Sequence, residues 1–570
     1  MALRGSKIVR LLGLMAVLAL SACSAVDETA PVEALEITHR EIAQGEIVGS
    51  MSAQGAHVWR AIPYAAAPVG DLRWRAPRPP LAFDGRFEAL DFGPRCPQVT
   101  NALDEGEGLE AGLLIGAEDC LTLDVYAPPG AQDLPVMVWI HGGANVWGRS
   151  SAYNGSQLAL DQNVIVIALQ YRLGPLGWFS HPDLRASAET EADEAASFAL
   201  LDMIAALEWV HTNAAAFGGD ADRVTVFGES AGGHNVAALL AAPRARGLFH
   251  GAIIQSGLTW SVTREQAEQG SNLFPNPSRE TAQRMTQRIT QGEVSAETLR
   301  SVSLADLFGA YNIGDSLEMP LMIEDDVVLP RGGIRQAAAT PDGFADVPII
   351  TGTNRDEMRL YTALNPDLVR RIGLMIWPRN ADAYEAIADY PSRLWRVLAV
   401  DDLANRLNAA GHQDVWAYRF DWDEGGSLLL TDSGQLFGAA HGMEIPFVFN
   451  HFELYGALDQ LLFTDRNAPG REAVAAAMGA HWGAFAHTGA PGETWSRWQS
   501  GGALLRFDSP EAGGMEMITG EVSLDMILTA LMADDRLDAG QRCFVARELM
   551  AWSPQETGRI ATATGCLAAE

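Results

Sequence analysis

The stretch "RVTVFGESAGG" at residues 223–233 constrains the fold more than any other part of the chain. A β-branched, apolar run of the kind found in buried strands stops at Gly228, and Ser230 then stands between two glycines. The residues that follow can begin a helix directly. A serine on so tight a turn needs small neighbours, and the turn lifts its Oγ above the edge of a sheet. The pattern predicts a strand, a turn carrying a nucleophilic serine, and a helix; the alternative is a similar turn without chemistry.

The rest of the chain alternates between strand-like and helix-like segments. Short apolar runs predict buried strands at residues 134–140, 164–171, 223–227, 251–256, 347–352 and 415–422. Helix-like stretches such as residues 198–216 lie between them. This order predicts an α/β fold with a largely parallel sheet covered by helices on both faces. Because no long linker divides the body, we expect a single domain over residues 37–570, with the irregular segment 257–345 as a helical insertion over the active site.

A second glycine-rich turn, "HGGANVWG" at residues 141–148, follows the predicted strand at 134–140. Glycines there expose backbone N–H groups that a bulky side chain would screen. Such donors stabilise an oxyanion, and one of them typically contributes about 10²–10³ in rate. The alternative is a glycine-rich turn with no ligand. The presence of the turn at residues 141–148 together with the turn at Ser230 predicts a site for acyl transfer.

A serine nucleophile also needs a base and an acid. In folds that carry the serine on such a strand–turn–helix motif, the order along the chain is serine, acid, histidine. His441 is the favoured base, because small residues surround it in a predicted loop. The other histidines downstream of the candidate acid lack this setting: His412, His451, His481 and His487. Asp356 and Glu357 both lie just past a predicted strand end, where such sheets place functional groups. The residues alone leave the choice between these two acids open.

Composition excludes several other mechanisms and partners. Lys7 is the only lysine of the 570 residues, and it lies in a predicted signal peptide, so the mature chain has no lysine for Schiff-base or Ser-x-x-Lys chemistry. The formal net charge of −32 argues against nucleic-acid binding, because an acidic chain is repelled by the phosphate backbone. No Cys-x-x-Cys pair is present to suggest a zinc site. We expect neither a metal nor a cofactor, and the oligomeric state stays open.

The N-terminus resembles that of an exported bacterial lipoprotein. Three basic residues precede an apolar run of ten at residues 11–20, and "LSAC" then ends at Cys23. This predicts a signal peptide over residues 1–22, lipidation of Cys23, and a tether over residues 23–36. An ordinary secretory signal with a chance cysteine is the alternative. The expected location is the periplasmic or cell-surface face of a membrane, with the outer membrane favoured, and the lipid on Cys23 as the anchor.

Four cysteines remain once Cys23 is assigned to lipid: Cys96, Cys120, Cys543 and Cys566. An even number suits an oxidising compartment and indicates disulfides. Of the three possible connectivities, the local pairs 96–120 and 543–566 are the favoured ones.

Several long motifs resemble the type-B carboxylesterase family, which includes cholinesterases and bacterial para-nitrobenzyl esterases. "FGGDADRVTVFGESAG" at residues 217–232 is similar to the family's serine signature, and "EDCLTLDVYAP" at 118–128 to its second signature. Weaker similarities extend the resemblance from about residue 45 to residue 500. It implies an α/β-hydrolase fold and a carboxylic ester hydrolase that needs no cofactor and cleaves small-molecule esters.

The resemblance also assigns roles to residues. It implies Ser230 as nucleophile, Glu357 as the acid and His441 as the base. The oxyanion donors it implies are the amides of Gly143, Ala144 and Ala231. It supports the pairing of Cys96 with Cys120. It suggests that Glu229 and Glu444 shape the electrostatics of the site, although each could also be a buried paired carboxylate.

The chain departs from the family pattern at the oxyanion loop. Ala144 replaces a glycine, and Asn145 stands where an aromatic residue is common. Relatives with such a loop can accept esters of bulky or tertiary alcohols, which gives a hypothesis for this chain. The 96–120 loop has no aromatic residue to hold a quaternary ammonium, so choline esters are disfavoured. The alternatives are a non-catalytic adhesion or binding protein, a lipase, and a toxin-ester hydrolase.

Overall fold

The computed structural model describes residues 32–101, 104, 108–270, 282–290, 294–311, 321–372, 375–499 and 501–567. The predicted signal peptide, Cys23 and the tether up to residue 31 lie outside the described residues. Within the ranges given, no helix has both the length and the apolar character needed to span a bilayer.

A sheet of eleven strands forms the centre of the described chain. In chain order they are β1 (Ser50–Met51), β2 (His57–Pro63), β3 (Thr122–Ala127), β4 (Leu134–Ile140), β5 (Ile165–Leu169), β6 (Gly219–Glu229), β7 (Gly251–Gln255), β8 (Ile349–Asn354), β9 (Val415–Phe420), β10 (Ala503–Phe507) and β11 (Glu516–Thr519). Their spatial order is β11-β10-β9-β8-β7-β6-β4-β5-β3-β2-β1. The strands from β10 to β5 in this order are parallel, and the outer pairings are antiparallel. The largely parallel sheet is thus confirmed, and all six predicted strands lie in its centre.

Both faces of this sheet are buried. Val136, Val138 and Ile140 of β4 belong to one apolar cluster, whereas Met137 and Trp139 belong to another. Successive side chains of a strand point to opposite faces, so the two clusters lie on the two sides of the sheet. A strand buried on both sides needs a continuous apolar run, which is why these strands were recognisable from the sequence.

Helices cover the two faces. The described α-helices of eight residues or more are α1 (Phe198–Asn213), α2 (Ala231–Ala241), α3 (Ala282–Thr290), α4 (Ala381–Arg396), α5 (Asp402–Ala410), α6 (Ala468–Thr488), α7 (Leu524–Ala533), α8 (Ala539–Trp552) and α9 (Thr557–Thr564). Shorter ones span Ser156–Gln162, Gly174–Gly177, Pro182–Ala186, Arg264–Gln269, Ala296–Ser301, Leu304–Ala310, Gly333–Ala337, Arg359–Leu364, Ser433–Leu436, Ile445–Phe449 and Asp459–Leu462. Apolar residues of α1 and α2 join the cluster that contains Val136, and those of α6 join the opposite cluster.

Small two-stranded ribbons lie outside the main sheet, and Arg40–Ile42, Gly45–Val48 and Phe87–Glu88 form a three-stranded sheet. The ribbons pair Gln98–Val99 with Leu114–Ile115, Val262–Thr263 with Ile323–Glu324, Val369–Ile372 with Met375–Pro378, and Ser427–Leu428 with Thr431–Asp432. The described parts of the segment 257–345 are short helices and one such ribbon. They pack on the face that α1 and α2 cover.

The C-terminal helices α7, α8 and α9 share an apolar cluster with α4. The disulfide between Cys543 and Cys566 joins the beginning of α8 to the chain after α9. Cys96 and Cys120 form the second disulfide. Both predicted pairings are therefore present, and the C-terminal one ties the end of the chain to the helix that carries Trp552.

Candidate active site

Ser230 lies on a sharp turn between β6 and α2, as the glycine spacing predicts. Its φ is +59° and its ψ is −122°, a strained conformation for a residue with a side chain. A Cβ on Gly228 would lie 2.6 Å from the carbonyl oxygen of Ile140, and one on Gly232 would overlap the same oxygen. The two glycines therefore allow strand β4 to approach the turn. The Ser230 amide donates a hydrogen bond of 2.9 Å to the carbonyl of Gln255 in β7, which fixes the turn to the sheet.

His441 and Glu357 form a buried pair. The His441 Nδ1 and Glu357 Oε2 atoms are 2.6 Å apart. The other carboxylate oxygen accepts hydrogen bonds from Ser256 Oγ at 2.6 Å, Thr353 Oγ1 at 2.7 Å and the Asn354 amide at 2.8 Å. With the Glu357 side chain fully buried, these donors hold the carboxylate in one orientation. The imidazole is thereby oriented with Nε2 directed away from Glu357.

Asp356 points away from this pair. Its carboxylate is paired with the guanidinium of Arg355 at 2.7 Å and that of Arg359 at 3.4 Å, and it accepts a hydrogen bond from the Ala439 amide. The geometry thus decides between the two acids that the residues alone left open. Glu357 is the one beside His441, and Asp356 is part of an ion-pair cluster.

The loop after β4 lies against the serine turn. A Cβ on Gly142 would lie 3.1 Å from Ser230 Cβ and 2.8 Å from the carbonyl oxygen of Glu229. The next two residues of the predicted oxyanion loop, Gly143 and Ala144, both have positive φ, at +101° and +51°. In the described part of the chain, no backbone acceptor takes a hydrogen bond from the amides of Gly143, Ala144 or Ala231. These amides are available to an oxyanion.

Asn145 is held inside the protein. Its side chain is 2% exposed and exchanges two hydrogen bonds with Asn235, at 2.8 and 3.2 Å. The hydroxyl of Tyr171 is 3.4 Å from Asn145 Oδ1. The polar residue at this position of the loop therefore anchors the loop to α2, a role that the sequence alone did not reveal.

Three buried carboxylates surround the single imidazole. Besides Glu357, Glu229 Oε1 lies 3.3 Å from His441 Nε2, and Glu444 accepts hydrogen bonds from Asn354 and Gln255. Burial opposes the charged imidazole, but Glu229 and Glu357 outweigh it and raise the pKa of His441 to about 9. Burial, together with mutual repulsion, raises the pKa of Glu229 to about 8 and that of Glu444 to about 7. The neighbouring carboxylates therefore stabilise the protonated form of the His441 imidazole.

Three aromatic rings adjoin this site that sequence reasoning did not assign to it. The Trp395 ring is centred 4.8 Å from the His441 ring, and the Tyr361 ring 5.9 Å from it. The Trp552 ring lies 4.9 Å from that of Trp395 and 6.1 Å from that of Tyr361. We call these three residues the aromatic wall. No local sequence signal could group them, because they come from three separate helices.

The remaining candidates serve elsewhere. His481 and His487 lie on α6 and bind the carbonyls of Pro491 and Gln162, as expected of a helix that packs on the body. His451 pairs with Glu453 at the surface. The ring of His234 lies 2.8 Å from the carbonyl oxygen of Trp260. Across the described ranges, no group of three His, Cys, Asp or Glu side chains is arranged to hold a metal ion.

The chain is similar to known esterases over most of its length. The model of the carboxylesterase family matches residues 37–372. The para-nitrobenzyl esterase of Bacillus subtilis (strain 168) is 35% identical over 479 residues, which cover 80% of this chain and 90% of that protein. The cocaine esterase of Homo sapiens is 31% identical over 499 residues, covering 80% of this chain and 84% of that protein.

The structure of this chain is similar to a solved structure of a PNB esterase, with 31% sequence identity and a TM-score of 0.68. The aligned region covers 85% of this chain and 97% of the esterase chain. The likeness extends to a PNB esterase described as thermophilic, at 30% identity and a TM-score of 0.67. Both sequence and structure thus agree on the α/β-hydrolase fold. The chain belongs to the carboxylesterase family and is a serine hydrolase that cleaves carboxylic esters.

Proposed function

We propose that Ser230, His441 and Glu357 carry out the hydrolysis as a catalytic triad. The observation that carries this proposal is the buried hydrogen bond of 2.6 Å between Glu357 and His441, with Nε2 on the side of the serine turn. His441 takes the proton of the Ser230 hydroxyl as Oγ attacks the ester carbonyl. It then gives that proton to the leaving alcohol, which leaves an acyl group on Ser230. Water, deprotonated by His441, releases the acid.

The amides of Gly143, Ala144 and Ala231 would bind the oxyanion of each tetrahedral intermediate. Two facts support this role. Gly142 packs against Ser230, and Ala231 is the first residue of α2, where the helix dipole favours negative charge. Because Asn145 anchors the loop to Asn235, these donors are held in position before substrate binds, and little reorganisation is needed in the reaction.

The substrate class we propose is esters of bulky alcohols. Ala144 stands where the family has a glycine and Asn145 where it often has an aromatic residue, and the Asn145 side chain is directed into the protein rather than into the site. The similarity to the Bacillus para-nitrobenzyl esterase, named for an aromatic alcohol ester, supports the same class.

The test is a panel of para-nitrophenyl esters of rising acyl length, extended with ethyl, benzyl and tert-butyl acetate. We expect Ser230→Ala to lose nearly all activity on every ester while its circular dichroism and melting stay those of the unchanged protein. Activity retained in Ser230→Ala would refute the triad. Rapid turnover of ethyl acetate with none of tert-butyl acetate would refute the bulky-alcohol class alone.

We also propose that the protein is a lipoprotein anchored through Cys23, facing the periplasm or the cell surface. The support is the order of basic residues, apolar run and "LSAC" at the N-terminus, together with two disulfides, which form in oxidising compartments. The expected result is that the full chain partitions into detergent and that Cys23→Ser does not. Partitioning of Cys23→Ser into detergent would refute the anchor.

A further inference from the structure

The aromatic wall ends in a residue from the far C-terminal part of the chain. Trp552 is the last residue of α8, and its ring is tilted by 50° against Trp395 and by 52° against Tyr361. It is partly buried and packs against two apolar clusters, the central one that contains Trp395 and the C-terminal one. Trp552 therefore joins the C-terminal helices to the surroundings of His441.

The wall extends from the buried side of the His441 ring to the protein surface. Trp395 is 4% exposed and forms the back of the wall, with its indole N–H donating to the Ser256 carbonyl. Tyr361 is 39% exposed, and its ring is centred 5.9 Å from the His441 ring. Because Tyr361 is both accessible and next to His441, the wall has a solvent-facing side beside this imidazole.

The position of the wall indicates which half of the ester it would contact. The leaving alcohol oxygen must receive its proton from His441 Nε2, so the alcohol departs beside this imidazole. Two of the three proposed oxyanion donors, Gly143 and Ala144, lie on a different element, the loop after β4. Rings packed around His441 are therefore placed next to the alcohol group. Aromatic side chains interact favourably with another flat apolar ring in a tilted or offset arrangement.

The C-terminal disulfide fixes this arrangement. Cys543 lies in the first turns of α8, and its bond to Cys566 closes α8 and α9 into one hairpin. The apolar face of α8 packs on α4, which carries Trp395 in its last turn. Trp552 and Trp395 are thus held against each other by two packed helices rather than by a loop.

We propose that Trp552 is a specificity-determining residue that selects esters with an aromatic alcohol group, and that the disulfide-closed C-terminal hairpin presents it to the site. The proposal rests on the proposed function of Ser230 and His441 and adds a substrate preference to it. Trp552 takes no part in proton transfer or in oxyanion binding.

The experiment compares kcat/KM for benzyl acetate with kcat/KM for ethyl acetate, and adds ethyl phenylacetate, which carries its ring on the acyl half. We expect Trp552→Leu to lower the ratio of benzyl to ethyl acetate by about two- to tenfold, the value of one aromatic contact, with ethyl acetate itself nearly unchanged. Trp552→Phe keeps a ring and should restore most of the ratio. Phe544→Ala removes another partly buried aromatic residue of α8 and should leave the ratio unchanged.

Each outcome decides the proposal. An unchanged ratio in Trp552→Leu, or an equal fall for all esters, would overturn it, because a merely structural residue gives no preference. A fall confined to ethyl phenylacetate would overturn the assignment to the alcohol half. Ethyl acetate turnover, abolished by Ser230→Ala, reports the triad separately. Should Trp552→Leu fail to fold, the ratio in Trp552→Phe and in Trp552→Tyr decides, because loss of preference in these ring-bearing variants would contradict the proposal.

Discussion

Glu229 Oε1 lies 3.3 Å from His441 Nε2, on the side of the imidazole opposite Glu357. Glu229 is also the residue directly before Ser230, so one turn carries both the serine and a carboxylate that contacts His441. Two carboxylates on one buried imidazole stabilise its charged form. In the proposed mechanism His441 adopts this charged form as each tetrahedral intermediate is made, so the arrangement would assist the steps in which the imidazole accepts a proton.

Replacing Glu229 by Gln should move the pH profile. Glu229 helps to raise the pKa of His441 to about 9, so removing its charge lowers that pKa. Since the proposed base is the neutral imidazole, the acidic limb of the kcat/KM profile should shift to lower pH, by about one unit. Glu453→Gln, which removes a carboxylate that is 87% exposed, is the control and should leave the limb in place. An unmoved limb in Glu229→Gln would mean that Glu229 carries no charge beside His441.

Removing the charge of Glu357 should affect catalysis, whereas removing the charge of its neighbour Asp356 should affect stability. Glu357→Gln removes the carboxylate that orients His441 and should lower kcat by about 10⁴ with the fold intact. Asp356→Asn should leave kcat within about tenfold but lower the urea midpoint, because Arg355 and Arg359 lose a buried partner. Steady-state kinetics and urea unfolding of both variants check this. A similar loss of kcat in the two would contradict the assignment of Glu357 as the acid.

Gly232, the glycine after Ser230 in the serine turn, should tolerate no side chain. Gly232→Ala would place a methyl group on the carbonyl oxygen of Ile140, so strand β4 or helix α2 must move. We expect loss of soluble, active protein. Gly309→Ala is the matched substitution: this exposed helical glycine has no atom within 4 Å of an added Cβ, and the change should raise stability by up to about 1 kcal/mol. Soluble expression and urea unfolding measure both, and an active, stable Gly232→Ala protein would contradict the close approach.

Removing the C-terminal disulfide should cost stability. Cys543 and Cys566 are separated by 23 positions, and opening a loop of this length costs about 3 kcal/mol through the entropy of the unfolded chain. The double variant Cys543→Ala/Cys566→Ala should therefore unfold at lower urea, detected by tryptophan fluorescence because Trp552 lies at the end of α8. An unchanged urea midpoint would show that packing on α4 alone holds the hairpin.

Much of this enzyme was predictable because the relevant physics is local. A strand buried on both faces must be a continuous apolar run, and a serine at φ +59° with a close neighbouring strand must be flanked by glycine. Each of these requirements restricts the residue types within about ten consecutive positions. The central strands, the turn at Ser230 and the loop at Gly143 can therefore be predicted from the sequence. The local disulfides follow from cysteine spacing for a similar reason.

Other features depended on contacts between distant segments. Asp356 and Glu357 follow the same strand, and only the positions of Arg359 and His441 show which carboxylate meets the imidazole. From the sequence, Asn145 could be a residue that faces the substrate, and only the hydrogen bond from Asn235 shows that its side chain anchors the loop.

The sequence by itself determined the sharp turn at Ser230, the class of reaction and the parallel sheet, because backbone sterics and burial act on neighbouring residues. The tertiary structure decided which acid serves His441 and assembled Tyr361, Trp395 and Trp552 into one wall. Trp395 and Trp552 lie far apart in the chain and meet because α4 and α8 pack together, a relation that no stretch of sequence records.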